Sequence, residues 1–199
     1  LRPELNQSKY YNNGHEELIN RRSELSKKLS EICEETYKDY PIINNEILNK
    51  NTLSSQAINS RSKVIAGILE NHIKENLGLI ATGQDVSFMR STIKNEGILV
   101  EKAGQYYINT ENLKNKKLQN VLNLIKKFIV NSSVKQLSFK ELYNILTEPA
   151  NHIGMKMGLI PIYIACVLHH YKKYAVILKN GKEVEINAKL LDSINEEPY

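Results

Sequence analysis

The sequence predicts a mostly α-helical fold with small β-hairpins, arranged as two winged-helix-like units joined by a long amphipathic helix. Two observations predict it. A short helix followed at once by a glycine-turned hairpin occurs twice, over residues 85–108 and again over residues 157–186. Elsewhere, apolar residues recur at three- and four-residue steps, the spacing that gathers them on one face of a helix. The expected division is residues 1–112, an N-terminal helical region with the first unit, and residues 113–199, the linking helix with the second.

Taken in order, residues 1–14 carry Pro3, Asn12, Asn13 and Gly14 and read as an extended entry segment. Residues 15–37 place Leu18, Ile19, Leu25, Leu29, Ile32 and Cys33 on one stripe, with charged residues between them, and predict a long amphipathic helix. Tyr40-Pro41 closes that stretch, because the residue before proline is pushed out of helical space. A helical turn is expected over residues 44–49. Thr52 is the expected cap of a helix through Leu69 that buries Leu53, Ala57, Val64, Ile65 and Ile68.

A third helix is predicted over residues 85–95, after Gly83 and stopped by Gly97, with Ile98-Leu99-Val100 pairing with Tyr106-Tyr107-Ile108. Residues 113–130 predict the linking helix, with Leu118, Val121, Leu122, Ile125, Phe128 and Ile129 inward and Lys114, Lys116, Lys117, Lys126 and Lys127 outward. Ser138 opens a capping box with Glu141, starting a short helix to Leu146. Pro161 suits the first turn of a helix ending near His169-His170. Asn180-Gly181 predicts a type I′ turn between strands at 174–178 and 183–186. Asn187 is the expected cap of a last helix through Ile194.

A chain of 199 residues can form one large domain or two small ones. Its 41% hydrophobic and 25% charged residues are those of an ordinary globular protein. The net charge of +5 admits a polyanionic partner without requiring one, since richness in lysine and asparagine also fits an AT-rich genome. Cys33 and Cys166 stand far apart in apolar settings and read as reduced core thiols of a cytosolic protein. The longest apolar run, residues 157–168, is too short to span a bilayer, so no membrane partner is expected. The ends, Leu1-Arg2-Pro3 and Pro198-Tyr199, suggest a segment of a larger protein.

No phosphate-binding loop, His-Glu-x-x-His helix, Cys-x-x-Cys pair or Gly-x-Ser-x-Gly elbow occurs, so no catalytic residue, cofactor or metal is expected in this segment. His169 and His170, adjacent on a helix, point about 100° apart and read as one packed and one solvated imidazole. Glu34, Glu35 and Asp39 read as a solvated helix face.

The helix at 85–95 carries the candidate contact face. Val86, Met89 and Ile93 form its inward stripe, leaving Ser87, Arg90, Ser91 and Lys94 outward, with Lys102 at the tip of the following hairpin. Hydroxyls and cations on one helix face suit phosphates and base edges, and double-stranded DNA is the candidate partner. The corresponding helix of the second unit, residues 161–168, has scarcely a polar side chain, so it reads as buried.

Two stretches resemble a known family. NNEILNKNTLSSQAINSRSKVI, at residues 44–65, and GMKMGLIPIYIACVL, at residues 154–168 before the Asn180-Gly181 hairpin, are similar to parts of the large P-loop ATPases of bacterial phage-exclusion (BREX) systems and their uncharacterised relatives. Lys156 stands where that pattern has arginine. The resemblance implies an accessory region outside the nucleotide-binding part of a large cytosolic ATPase acting on DNA or within a phage-defence complex. Its partners would then be other domains of that ATPase or subunits of the complex. The rival expectation is a protein-interaction scaffold without nucleic-acid contact.

Overall fold

Three two-residue turns set the β content of the described residues, 8–80 and 82–198 of a computed structural model. Asn13-Gly14, Ala103-Gly104 and Asn180-Gly181 all have both central residues at positive φ, the type I′ geometry that matches the twist of a two-stranded ribbon. They close the antiparallel pairs β1 (Tyr10–Asn12) with β2 (His15–Glu17), β3 (Leu99–Lys102) with β4 (Gln105–Ile108), and β5 (Ile177–Lys179) with β6 (Lys182–Val184). The described residues also form seven α-helices: α1 (Arg22–Thr36), α2 (Ser55–Leu69), α3 (Gln84–Met89), α4 (Lys116–Asn131), α5 (Phe139–Thr147), α6 (Ile160–Tyr171) and α7 (Ala188–Glu196). The fold is mostly α with small hairpins.

The chain falls into two compact units, one ending at Lys38 and the other starting at Asp39. In the first, β1 and β2 replace the end of the expected entry segment and the first turns of the expected helix, because Asn13-Gly14 reverses the chain there. The expectation for residues 1–7 lies outside the described residues. Helix α1 starts only at Arg22, where the Glu24 carboxylate accepts the backbone N–H groups of Asn20 and Arg21 at 2.9 and 3.1 Å. A Lys28–Glu17 ion pair of 2.6 Å joins α1 to β2, holding the carboxyl below and the ammonium above their ordinary ranges. No residue of α1 is buried, so the expected inward face of Leu25, Leu29, Ile32 and Cys33 is not a core face. Cys33 is exposed, which corrects its reading as a core thiol, whereas Cys166 is buried and its burial pushes the thiol pKa up.

The second unit is organised around α6. Apolar on every side, α6 buries all residues from Ile160 to Leu168 and packs against α2, α4 and α7. The expected boundary at 112/113 therefore crosses a continuous core, in which α2 on one side of it packs along α6 on the other. Helix α4 buries Leu118, Val121, Leu122, Ile125 and Phe128, as its period predicts, with Asn115 as its cap. Ser54, not Thr52, caps α2, its hydroxyl accepting the Ala57 N–H at 3.2 Å, because the backbone is still extended at Ser54 and turns helical only at Ser55. Ser138 caps α5 through the Lys140 N–H, and Asn187 caps α7 through that of Leu190.

Two glycines are close-approach positions. A Cβ on Gly158 would lie 2.3 Å from the Leu48 carbonyl oxygen, so only glycine lets residues 44–49 seat against the start of α6. One on Gly67 would meet the Leu77 Cβ at 2.6 Å. Leu77 sits in a left-handed turn, Asn76-Leu77-Gly78, whose φ values are 46°, 58° and 74°. Burial of its side chain against α2 helps hold a conformation that leucine rarely adopts.

An ion pair lies inside this core. Arg61 of α2, 1% exposed, donates Nε and Nη2 to one carboxylate oxygen of Asp192 on α7, at 2.9 and 2.7 Å. The Ser62 hydroxyl donates to the other oxygen, and Arg61 Nη1 reaches the Gly158 carbonyl at 3.4 Å. Neither charge was expected here from the sequence. Arg61 nevertheless lies in register with Ala57, Val64, Ile65 and Ile68, squarely on the buried face.

Candidate nucleic-acid interface

The candidate face is built from the inside outward. Val86, Met89 and Ile93 are at most 3% exposed and anchor the helix on the core. Thr92, also buried, donates its hydroxyl to the Phe88 carbonyl at 2.7 Å, while its own carbonyl accepts Tyr163 Oη of α6 at 3.2 Å. After Met89 the helix widens into a π-turn, Arg90–Lys94, closed by Asn95 N–H donating to the Arg90 carbonyl at 2.9 Å. Gly97 at φ +73° then turns the chain into β3. The helix expected at residues 85–95 is thus present, starting at Gln84 and widened over its last turn.

This scaffold leaves Ser87, Arg90 and Lys94 exposed. Ser87, Arg90 and Ser91 border a shallow depression of about 390 Å³ with Thr82, Gly83 and Asn95. Ser91 is half-buried and already engaged: its hydroxyl donates to the Ser87 carbonyl at 2.9 Å and accepts Asn45 Nδ2 at 2.8 Å. Its first role is to fasten residues 44–49 to this helix. Lys94 leans away from the depression and donates Nζ to Asn76 Oδ1 at 3.1 Å, on the left-handed turn. Lys102 is exposed beside the Ala103-Gly104 turn, at the hairpin tip. Asp85, the acidic group of the first turn, is partly offset by Lys63 at 3.4 Å. The face presents separated cations on a rigid support, with no acid–base pair among the expected residues.

The second helix–hairpin differs from the first. Helices α2 and α3 pack on each other directly before β3–β4, whereas α5 packs on α4. Helix α6 belongs to the whole core.

His169 is half-buried and His170 is more exposed. His169 Nδ1 donates to the Ile68 carbonyl at 2.7 Å, and Nζ of Lys172, the residue after α6, reaches the Leu69 carbonyl, so two basic side chains satisfy the C-terminal end of α2. His170 lies beside a small polar depression with Glu111 and Lys126, which form a 3.0 Å ion pair. Partial burial lowers the pKa of both imidazoles, against an opposing backbone hydrogen bond in each case. Among the described residues, no group of three or more His, Cys, Asp or Glu is placed to hold a metal ion. No helix among them is long and apolar enough to cross a membrane.

Compared with protein-family models, curated proteins and solved structures, the chain matches none.

The buried Arg61–Asp192 pair and the Asn45–Ser91 link are the features of this region that sequence reasoning missed. A signal existed for the first, since Arg61 falls on the apolar stripe of α2. Residues 44–65 and 154–168 meet in space, through Leu48 against Gly158 and Arg61 on the Gly158 carbonyl.

Proposed function

We propose that this chain acts by binding rather than catalysis, as a winged-helix-like nucleic-acid-contacting or assembly region of a larger ATPase. The observation that carries the reading is the placement of Ser87, Arg90 and Lys94 on the open side of a core-anchored helix, followed directly by a hairpin with Lys102 at its tip. A helix pinned by Val86, Met89 and Ile93 offers its cations at fixed spacing, which lowers the ordering cost of phosphate contact. The resemblance of residues 44–65 and 154–168 to phage-exclusion ATPases supports a parent protein that works on bacterial DNA. Under this reading Arg90, Lys94 and Lys102 meet phosphates and Ser87 supplies a hydroxyl, while Ser91 is mainly a support.

Charge reversal tests it. A fluorescein-labelled mixed-sequence duplex should raise its anisotropy with the unmutated chain at low salt. Arg90→Glu with Lys94→Glu should weaken binding and lower the log–log salt slope by roughly 2, because two phosphate contacts and their counterion release are lost. Lys126→Glu with Lys127→Glu, on the linking helix, should change it less. Equal losses from both pairs would mean a diffuse basic surface. No binding by the unmutated chain at tens of micromolar or so, within the usual non-specific range, would defeat the proposal.

A further inference from the structure

Helix α1 is short and has no buried residue to hold it. At 15 residues it is near the length at which an isolated helix is marginal in water, where packing of one face supplies most of the stability. The Lys28–Glu17 pair ties it to β2, but that tie is polar. Its apolar residues are nevertheless in order. Leu25, Leu29 and Ile32 follow steps of four and three, the narrow seam by which one helix packs along another. Leu29 is 53% exposed, Leu25 and Ile32 are only half-buried, and Cys33 at the edge of the seam is exposed.

Charge says which helix covers that seam. Arg21 and Arg22 stand at the start of α1 and Glu34 and Glu35 near its end, with Glu24 the acidic residue of the first turn and no basic residue in the last. An isolated helix is stabilised by the reverse order, acids at its N-terminus and bases at its C-terminus. An antiparallel neighbour with the same charge order turns that cost into attraction, because its acidic end lies beside the arginines. A second copy of α1 is such a neighbour.

The rows beside the seam agree with that pairing. Seven-residue steps put Arg21, Lys28 and Glu35 in one row along it, while Ser26 and Cys33, both small, form the row on the other side. When two copies cross antiparallel near Leu29, like rows face each other, and Arg21 of each copy lies opposite Glu35 of the other. Neither residue forms an ion pair among the described residues. Lys28 falls opposite its own copy, but its charge is already met by Glu17 at 2.6 Å. A parallel pair would instead gather the arginines of both copies at one end and the glutamates at the other. We infer that α1 is a self-association surface, which pairs antiparallel with α1 of a second copy of this chain through Leu25, Leu29 and Ile32. The inference concerns the first unit and does not rest on nucleic-acid contact, so either can fail alone.

Sedimentation equilibrium of the full chain tests it, with a reversible monomer–dimer equilibrium expected. Leu29→Asp should leave a monomer, and its urea transition should match that of the unmutated monomer because Leu29 is exposed. Arg21→Glu and Glu35→Arg should each weaken the dimer by roughly three- to thirtyfold, since both symmetry-related surface pairs become repulsive. An equimolar mixture of those two variants should recover dimerisation, because each copy then meets an opposite charge at both ends. In a parallel pair residues 21 and 35 never meet, and no recovery would follow. A chain still monomeric at about 1 mM, where even a millimolar pair is populated, or a dimer indifferent to Leu29→Asp, would overturn the self-association surface. A mixture that fails to recover would overturn the antiparallel order.

Discussion

Replacement of Asp192 by alanine is expected to cost the second unit about 3–5 kcal/mol, because it strands the Arg61 guanidinium in a site that is 1% exposed. Three donors now converge on Asp192: Arg61 Nε, Arg61 Nη2 and the Ser62 hydroxyl. Without the carboxylate, Arg61 keeps only the 3.4 Å contact to the Gly158 carbonyl. Losing a buried partner leaves an uncompensated charge, which costs far more than the pair itself contributes. The expected result is a large fall in the urea midpoint at unchanged slope. Asp192→Asn, which retains one acceptor, should fall less. Breaking the exposed Lys126–Glu111 pair by Lys126→Ala should leave the midpoint unchanged within error, since solvent screens it. An Asp192→Ala midpoint equal to the unmutated one would show that Arg61 escapes to water, and would remove α7 from the core described here.

Ile164→Asn is the second large effect, at roughly 2–5 kcal/mol from lost apolar burial and an amide without partners. Ile164 is 1% exposed in the middle of α6, between Tyr163 at 0% and Ala165 at 0%. Because α6 touches α2, α4 and α7, the loss should loosen the whole second unit in one transition rather than one helix. A thermal midpoint unchanged within error, or a separate early transition confined to α6, would contradict that central position.

Strong periods were legible in the sequence because burial enforces them. Leu118, Val121, Leu122, Ile125 and Phe128 define α4, and the unbroken apolar run before His169 marks α6 as buried on all sides. Asn180-Gly181 specified its turn because asparagine and glycine both tolerate positive φ. The equivalent signal at Asn13-Gly14 was outweighed by the helical spacing beyond it, since strands as short as His15–Glu17 leave almost no alternation to read. Arg61 was legible only through its position on the stripe of α2, since a guanidinium is a residue type that burial disfavours. Cys33 misled, since apolar spacing along α1 does not bury it. The exposed row of Ser87, Arg90 and Lys94 was legible, yet the engagement of Ser91 with Asn45 joins segments far apart in sequence.

The most direct measurement is amide shift mapping of the 15N-labelled chain titrated with mixed-sequence duplex DNA at low salt. The account predicts fast-exchange changes concentrated at residues 87–94 and at the β3–β4 tip around Lys102, which lie together on one helix–hairpin module. Changes spread over the lysines of α4 with residues 87–94 silent, or no change at all with duplex in excess, would contradict it.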